Sequence, residues 1–550
     1  MIMTETRPQN SNFIVQGGIL AAAGIISRII GFIYRIPLQN TIGDAGMGYY
    51  SAAFQIYSIM LIISSYSLPV AVSKLVAARA AKGQYRNARR FFHGALMFAI
   101  LTGGATCGIV LFGADKLAGN IMSMPRSAIA LRMLAPTLLI VAIMGVVRGY
   151  FQGLGTMVPT AFSQLVEQIV NAVISIVAGV YLFEYGTKVA ALLRDDAFAP
   201  AWGAAGGTLG TGAGAVAGLL VLLIMLIVHK RRMRKNILKD NAKYVDSFGR
   251  IFSVIIITVL PVILSTTIYN ISDTIDQGLF NYVMDVKGFS SIKAEYWGIY
   301  SGKYRVLTNV PIALANALCS SMMPSLAACI ENGERRQARH KVAIGIRFVM
   351  IISIPCAVGL AILGRPLISL MFTGEVDIPA KLLLMGSASV VFYSLSTLSN
   401  GILQGIDKMR IPVRNAAIAL VLHLGILYLT ISVLDWKLYG VVTACMAFGL
   451  LMCILNWLSI RRHLRYHQEM KRTFVIPLIS SAVMGGVIWL LYFILSKSST
   501  ELVSVIISSA VGVIVYFVVL LLLRGVRESE LRSLPGGGAV ASIARLFRLL

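Results

Sequence analysis

Long apolar segments, separated by short polar ones, follow one another along almost the whole chain. Each is longer than the roughly 20 residues that a helix needs to cross the hydrocarbon core of a bilayer. None shows the alternation of apolar and polar residues that is typical of a membrane strand. The pattern predicts an all-α polytopic membrane protein of about fourteen transmembrane helices. These lie at residues 13–38, 50–76, 91–113, 128–150, 160–183, 203–228, 251–284, 297–328, 342–363, 381–405, 412–434, 438–460, 474–496 and 501–523.

The polar connections between the predicted helices carry most of the charge. Connections after even-numbered helices are rich in Lys and Arg, except the nearly uncharged one after helix 4, whereas those after odd-numbered helices are poor in basic residues or carry balancing acids. Because basic connections stay on the cytoplasmic side, this pattern predicts a multi-pass protein of the cell membrane with both termini in the cytoplasm. Representative basic residues are Arg79, Lys82, Arg86, Lys230, Arg231, Arg335, Arg336, Lys408, Arg461 and Arg462.

The composition supports the same class. Hydrophobic residues make up 57% of the chain and charged residues 13%, against roughly 25% charged residues in soluble domains. The net charge of +26 would suggest nucleic acid in a soluble protein, but its location in the connections assigns it to topology and anionic lipid headgroups, so no nucleic-acid partner is predicted. The six cysteines show no C-x-x-C spacing, which predicts neither a disulfide framework nor a metal site.

An internal repeat relates the two halves of the chain. The segment GYFQGLGTMVPTA begins at Gly149 and GILQGIDKMRIPVRN begins at Gly401, and both Gly149 to Gly401 and Gln152 to Gln404 span 252 residues. Six helices per half give both halves the same orientation, which predicts two lobes related by an axis along the membrane normal. The predicted parts are a first lobe at 1–228, a cytoplasmic basic linker at 229–250, a second lobe at 251–463, and two further helices with a basic tail at 464–550.

Two arginines interrupt the first apolar segment. Arg28 and Arg35 are seven residues apart, about two helical turns, and therefore share one face. An arginine near the middle of a membrane helix costs about 2.5–3.5 kcal/mol on insertion scales, so it normally faces protein or water. One interpretation is that Arg28 pairs with a buried acid and Arg35 extends to the lipid headgroups. The other is that both line a polar cavity that binds an anionic substrate.

Polar residues also form stripes on the fifth, seventh and eighth predicted helices. In the fifth, Glu167 shares a stripe with Gln168 and Asn171. Hydrogen bonds between helices explain the amides, whereas acids inside a membrane indicate ion coupling or pairing with arginines of the cavity. The candidates are Arg28, Arg35, Arg305 and Asn309 for substrate binding, and Glu167, Asp273, Asp276 and Asn270 for ion coupling or cavity pairing.

The sequence contains no catalytic constellation. The glycine-rich run at 203–218 follows no strand and lies within an apolar segment, so close helix packing explains it better than a nucleotide loop. No metalloprotease, nucleophile-elbow or Walker motif occurs. The chain is therefore predicted not to be an enzyme, and no cofactor is predicted.

Fourteen predicted helices in two lobes, with SRIIGFIYR in the first, resemble the MurJ-type lipid II flippases of the MOP exporter superfamily. The segments SLPVAVSKLVA, GYFQG and WGAAG resemble in particular the polysaccharide-biosynthesis branch that includes stage V sporulation protein B. The resemblance covers essentially the whole chain. It implies an alternating-access transporter with a cationic central cavity, in which Arg28, Arg35 and Arg305 match arginines of the family. The family also has an arginine and an aspartate on its second helix, but the matching positions in this chain fall near Leu61 and Tyr49. The cavity is therefore expected to be less cationic than in other members of the family.

The resulting prediction is a flippase that moves a lipid-linked oligosaccharide, with lipid II as the favoured substrate, from the inner to the outer leaflet. Three alternatives stay open. The chain could export another undecaprenyl-linked polysaccharide unit, or it could be a cation-coupled multidrug exporter, which predicts an acidic cavity without central arginines. A membrane glycosyltransferase would need a large extracytoplasmic loop, but the longest one, at about 184–202, is short. The coupling ion, the exact substrate and a sporulation role are not determined by the sequence.

Overall fold

The computed structural model describes residues 9–238, 240 and 246–526. Throughout these ranges the regular structure is helical, which confirms the predicted all-α class. The α-helices are α1 Gln9–Ile33, α2 Arg35–Leu61, α3 Leu68–Ala81, α4 Tyr85–Lys116, α5 Ala128–Gly153, α6 Val158–Leu193, α7 Phe198–Leu238, α8 Phe248–Val286, α9 Lys293–Gly298, α10 Arg305–Glu331, α11 Arg335–Met371, α12 Asp377–Gly386, α13 Ala388–Gly405, α14 Arg410–Tyr428, α15 Lys437–Leu464, α16 Ile476–Leu495 and α17 Glu501–Leu522.

The chain is a multi-pass membrane protein. Within the described ranges, 11 helical segments are long and apolar enough to cross a membrane, or up to 12 if α12 and α13, which meet at 51°, form one span. The predicted count of fourteen is therefore not confirmed. The first and seventh predicted segments correspond to α1 and α8, in which the apolar stretches found among the described residues are Gly18–Ile33 and Phe248–Leu260.

Several helices are joined end to end through a single π-helical turn. One such turn, at Ile62–Tyr66, continues α2 into α3, and another, at Ile299–Tyr304, joins α9 to α10. Each pair forms one long span, at Arg35–Ala81 and Lys293–Glu331. A π turn widens the helix and shifts the direction of the side chains that follow it. The position of Arg305, directly after the second turn, therefore depends on this irregularity.

Contacts divide the chain into two compact units, one ending at Gly298 and the other beginning at Ile299. In these contacts, α8 and α9 belong with the first unit. The predicted lobes, with a boundary at the 229–250 linker, rest on the repeat and not on contacts. They stay a prediction, because a grouping by contacts does not test whether the halves superpose.

Small residues bring the helices of the first unit into close contact. A Cβ on Gly206 would overlap the backbone of Ala178, and one on Gly210 would overlap Ser175, so α6 and α7 pack with their backbones almost touching. This confirms the packing interpretation of the glycine-rich run. Helices α2 and α9 meet in the same way, since a Cβ on Gly48 would overlap the carbonyl oxygen of Ala294.

In the second unit, α16 and α17 pack against α11. Met484 and Ile488 of α16 form a buried cluster with Ile351 of α11 and Tyr516 of α17. The hydroxyl of Tyr516 donates a hydrogen bond to the carbonyl oxygen of Ile351 at 2.8 Å. The last two predicted helices are therefore part of the packed body of this unit.

Candidate functional site: arginines of the membrane helices

Helix α1 runs along α6 in the same direction. The Oε1 atom of Gln16 accepts a hydrogen bond from the backbone N–H of Met157 at 2.9 Å. About four turns later, a Cβ on Gly31 would lie 3.2 Å from Nε2 of Gln168. The contacts follow the same order along both helices, so the two helices are parallel, and the absence of a side chain at Gly31 allows their close approach.

Arg28 lies about one turn before Gly31 on α1. Its side chain is exposed, and it forms neither an ion pair nor a hydrogen bond with the residues that the structure describes. Within those residues, the interpretation that Arg28 neutralises a buried acid finds no support. Because an arginine in a membrane helix normally faces water or a polar partner, this guanidinium is available to an anionic ligand.

Arg35 begins α2 directly after the junction residue Tyr34. Tyr34 has φ −70° and ψ −21°, which are close to helical values, so the chain continues from α1 into α2 without a sharp turn. Arg35 is half-buried and interacts with another residue. The two arginines of the predicted stripe therefore differ, since Arg28 is the exposed one.

Glu167 has a partner that the sequence did not indicate. The Nη2 atom of Arg148 on α5 donates a hydrogen bond to Oε2 of Glu167 at 2.6 Å, and Nε of Arg148 donates to Oγ of Ser163 at 3.1 Å. The side chains of Arg148 and Glu167 are 16% and 26% exposed. Glu167 is thus paired with an arginine. That arginine, however, is not one of the three predicted to line the cavity.

The amides of the same stripe connect helices. The Nδ2 atom of Asn171 donates to the hydroxyl of Tyr34 at 3.5 Å, and Asn171 Oδ1 accepts from the hydroxyl of Ser175 at 3.0 Å. The Ser175 hydroxyl also donates to the carbonyl oxygen of Gly207 at 2.8 Å. These bonds link α6 to the α1–α2 junction and to α7, as expected for interhelical hydrogen bonds in a membrane.

The predicted polar residues of α8 occupy different environments. Asn270 is exposed and donates to the carbonyl oxygen of Thr266 on its own helix at 2.8 Å. Asp273 is half-buried and Asp276 is 2% exposed, and each interacts with another residue. The neighbouring Gln277 is buried and accepts a hydrogen bond from the hydroxyl of Ser51 at 3.3 Å. This part of α8 is therefore bound into the first unit by polar contacts.

In the second unit, Arg305 is the first residue of α10, and Asn309 follows one turn later. The guanidinium carbon of Arg305 lies 5.9 Å from the centre of the Tyr300 ring, within the range of a cation–π contact. Tyr300 in turn stacks on Tyr304 with ring centres 5.5 Å apart. Arg305 is half-buried and Asn309 is exposed. Stacked tyrosines of the π turn thus lie beside the arginine that follows it.

A fully buried lysine precedes Arg305, and the sequence analysis did not identify it. Lys303 is 0% exposed, and its Nζ donates to the carbonyl oxygens of Thr373 and Glu375, both at 2.9 Å. The hydroxyl of Tyr304 donates to the carbonyl oxygen of Gly386 at 3.0 Å. Lys303 lies inside the predicted helix at 297–328, and a lysine inside a predicted span is the signal that could have indicated it.

No metal chemistry is indicated in the described part of the chain, where no group of three or more His, Cys, Asp or Glu side chains is placed to hold an ion. The arginines provide a different chemistry. A guanidinium has several N–H donors in a plane and can bind two oxygens of a phosphate at once. Arg28 presents this group without a competing acid among the described residues.

Comparison with known proteins identifies the family. The family model described as "Polysaccharide biosynthesis protein" matches residues 15–330. The chain belongs to this family. A second model, described as MatE, matches residues 306–429. Both matches agree with the MOP exporter superfamily that SRIIGFIYR and the other segments indicated.

Two curated relatives of this family member, both from Bacillus subtilis (strain 168), match over nearly their whole length. "Lipid II flippase MurJ" is 27% identical, with 94% of this chain and 96% of the relative covered. "Stage V sporulation protein B" is 23% identical, also with 94% and 96% covered. Each alignment therefore spans nearly the whole of both sequences.

Solved structures have the same fold. The structure "Lipid II flippase MurJ, inward closed conformation" covers 91% of this chain and 97% of its own with a TM-score of 0.66 and 16% identity. An inward-facing multidrug resistance MATE family transporter of the MOP superfamily has a TM-score of 0.59 and 16% identity, over 78% of this chain and 94% of its own. At these identities the likeness establishes the fold and no more.

Proposed function

We propose that this protein is an alternating-access flippase that moves a lipid-linked oligosaccharide across the cytoplasmic membrane, with lipid II as its substrate. The observation that carries the proposal is Arg28, an exposed arginine on a membrane helix with no acid partner among the described residues. The relative named a lipid II flippase, which matches 94% of this chain, supports the same substrate.

The physical task is to carry a diphosphate and its sugars through hydrocarbon. Burying such an anion without partners is prohibitively costly, and charge-assisted hydrogen bonds from guanidinium groups replace its hydration. In this proposal Arg28 is the principal ligand of the diphosphate, and Arg35, Arg305 and Asn309 are further ligands. No covalent bond of the substrate changes, so the protein is not an enzyme in the catalytic sense.

The polar residues of α8 have a second role in the proposal. Asp273, Asp276 and Asn270 lie on α8, and acids in membrane helices are the groups that bind coupling ions in transporters. The MatE match within the second half supports a coupling ion of this kind. The basic connections support cytoplasmic termini, and the proposed transport runs from the inner to the outer leaflet.

Complementation of a strain depleted of its lipid II flippase tests the proposal. Arg28→Lys keeps the charge but loses the planar set of donors, so it should lose most function, and Arg28→Ala should lose at least as much. Arg132→Lys is the matched control, because Arg132 lies at the surface and is already paired with Asp115. Membrane abundance is measured in parallel, so that misfolding is separated from loss of transport.

A multidrug exporter is the second candidate, favoured by the MatE match over residues 306–429. An exporter of cationic drugs gains nothing from a central arginine, because like charges repel. Full complementation by Arg28→Ala and Arg305→Ala at normal abundance would reject the anionic-headgroup mechanism and favour this candidate. Complementation only of a strain that lacks another undecaprenyl-linked polysaccharide exporter would keep the mechanism and change the substrate.

A further inference from the structure

The ion pair of Arg148 and Glu167 lies inside the membrane-spanning part of the first unit. Arg148 is five residues before the end of α5, and Glu167 is the tenth residue of α6. One hydrogen bond joins them, from Nη2 of Arg148 to Oε2 of Glu167 at 2.6 Å, while Nε of Arg148 donates to Oγ of Ser163. The pair is therefore charged, close and held between two consecutive helices.

Each partner of this pair has hydrogen-bonding capacity left over. Within the described residues, Nη1 of Arg148 and Oε1 of Glu167 make no hydrogen bond. Their side chains are 16% and 26% exposed, so neither is sealed in the protein. An ion pair kept for packing alone is expected to satisfy its donors and acceptors, because unsatisfied polar groups in a membrane are costly. The open donor and the open acceptor indicate a site that water or a ligand enters.

The repeat motif provides an internal comparison. Asn400 lies 252 residues after Arg148 and precedes GILQG as Arg148 precedes GYFQG. There Oδ1 of Asn400 accepts from Nδ2 of Asn456 at 2.7 Å, and Asn456 also binds Asn415 at 2.9 Å. Asn456 and Asn415 are 0% and 2% exposed. Neutral amides thus connect three helices at this position of the second unit, so a charged pair is not needed to hold such helices together.

The pair also lies at the level of Arg28. Gly31 of α1 faces Gln168 of α6, Arg28 is three residues before Gly31, and Glu167 is one residue before Gln168. At 1.5 Å of rise per residue, Arg28 and Glu167 differ by about 3 Å along the two parallel helices. The first unit therefore carries one exposed arginine and one acid-paired arginine at the same depth.

We propose that Arg148 and Glu167 form a second site for the sugar-diphosphate headgroup, in which Glu167 holds Arg148 in place until the diphosphate displaces it. This inference rests on the proposed function. The guanidinium of Arg148 then binds phosphate oxygens in place of the carboxylate. A diphosphate competes well for the guanidinium, because it has more negative charge and more acceptor oxygens than a carboxylate. The released carboxylate accepts hydrogen bonds from the hydroxyl groups of the adjacent sugar, so both partners stay satisfied.

The proposal predicts that removing the acid tightens binding. In the purified full-length protein, with farnesyl diphosphate as the probe, Glu167→Gln should raise the affinity by about three- to tenfold because the competing charge is gone, and Arg148→Gln should lower it by about tenfold. Inorganic diphosphate, the probe without a lipid, should show the same changes. Glu184→Gln is the control, since it removes an exposed acid of the same helix and should leave both affinities unchanged.

Thermal unfolding without ligand separates this site from a purely structural pair. The proposal is wrong if Glu167→Gln and Arg148→Gln lower the stability but bind both probes with the same affinity as Glu184→Gln. A gain in affinity for farnesyl diphosphate without a gain for inorganic diphosphate would also contradict it. Should either variant fail to fold, Arg148→Lys keeps the charge and should lower the affinity, and an unchanged value overturns the site. If Arg28→Ala loses binding of the probes and Glu167→Gln does not change their affinity, this inference alone is overturned. If the unchanged protein binds neither probe, the proposed function is overturned as well.

Discussion

The ammonium group of Lys303 lies 2.9 Å from the carbonyl oxygen of Glu375. It donates equally to the carbonyl oxygen of Thr373, and both acceptors lie in the connection between α11, which ends at Met371, and α12, which begins at Asp377. Carbonyl oxygens in a non-helical connection need hydrogen-bond donors from elsewhere, and a lysine ammonium group has three N–H donors. Lys303 therefore connects the π turn before Arg305 to the connection between α11 and α12 in the second unit.

Replacing Lys303 should weaken this connection. Lys303→Met keeps the apolar length of the side chain but leaves two carbonyl acceptors without their donor, so the free energy of unfolding should fall by about 1–3 kcal/mol. Thermal unfolding of the purified protein measures the effect. Lys381→Met is the control, because Lys381 is exposed on the adjacent α12. Equal stability of the two variants would show that Lys303 does not stabilise the connection between α11 and α12.

Close backbone contacts should make two glycines of the first unit intolerant of a side chain. A Cβ on Gly48 would overlap the carbonyl oxygen of Ala294, and one on Gly298 would overlap that of Asp44. Gly48→Ala and Gly298→Ala should therefore each destabilise the protein by about 1–3 kcal/mol, as overpacking does. Gly104→Ala, with no atom within 4 Å of its Cβ, should be neutral or slightly stabilising. Membrane abundance and thermal unfolding report the difference, and three equal results would refute the α2–α9 packing.

The connection between α15 and α16 should show a dependence on high pH. Burial raises the pKa of Tyr466 to about 12, with nearby Arg347 lowering the pKa and Glu469 raising it. In the unfolded chain the phenol ionises near its ordinary pKa of 10.0. The raised pKa means that its contribution to stability is complete below pH 10 and is lost as the pH rises through about 12.

Tyr466→Phe tests this contribution, because it removes the ionising group and keeps the ring. The stability of the unchanged protein should fall between pH 10 and about 12 by more than that of the variant, while the difference between them stays constant at lower pH. Thermal unfolding over this pH range measures both profiles. Parallel profiles across the whole range would mean that the phenol of Tyr466 does not ionise differently in the folded protein.

Cysteine labelling should establish the orientation in the membrane. Lys82, in the turn between α3 and α4, and Asp196, between α6 and α7, are both exposed. Lys82→Cys should react with a membrane-impermeant reagent only from the cytoplasm and Asp196→Cys only from outside, because the basic connections are expected on the cytoplasmic side. The unchanged chain, with six cysteines of its own, gives the background. Reversed labelling would contradict the proposed direction of transport.

The sequence alone determined the class, the approximate positions of the helices and the arginine of α1. These properties are local, since a helix crosses a membrane when about 20 consecutive residues are apolar. Arg28 was recognisable because a charge within such a run is rare. The count of spans was less certain, because α12 and α13 meet at a bend.

The tertiary structure alone decided which polar groups meet. No spacing in the sequence indicates that Glu167 pairs with Arg148, or that Lys303 is fully buried against the carbonyl oxygens after α11. Such partners depend on the rotation and depth of each helix, which are determined by packing at residues such as Gly31 and Gly206. The sequence therefore specified which residues lie in the membrane, whereas helix packing specified which of their charges are neutralised and which are open to a ligand.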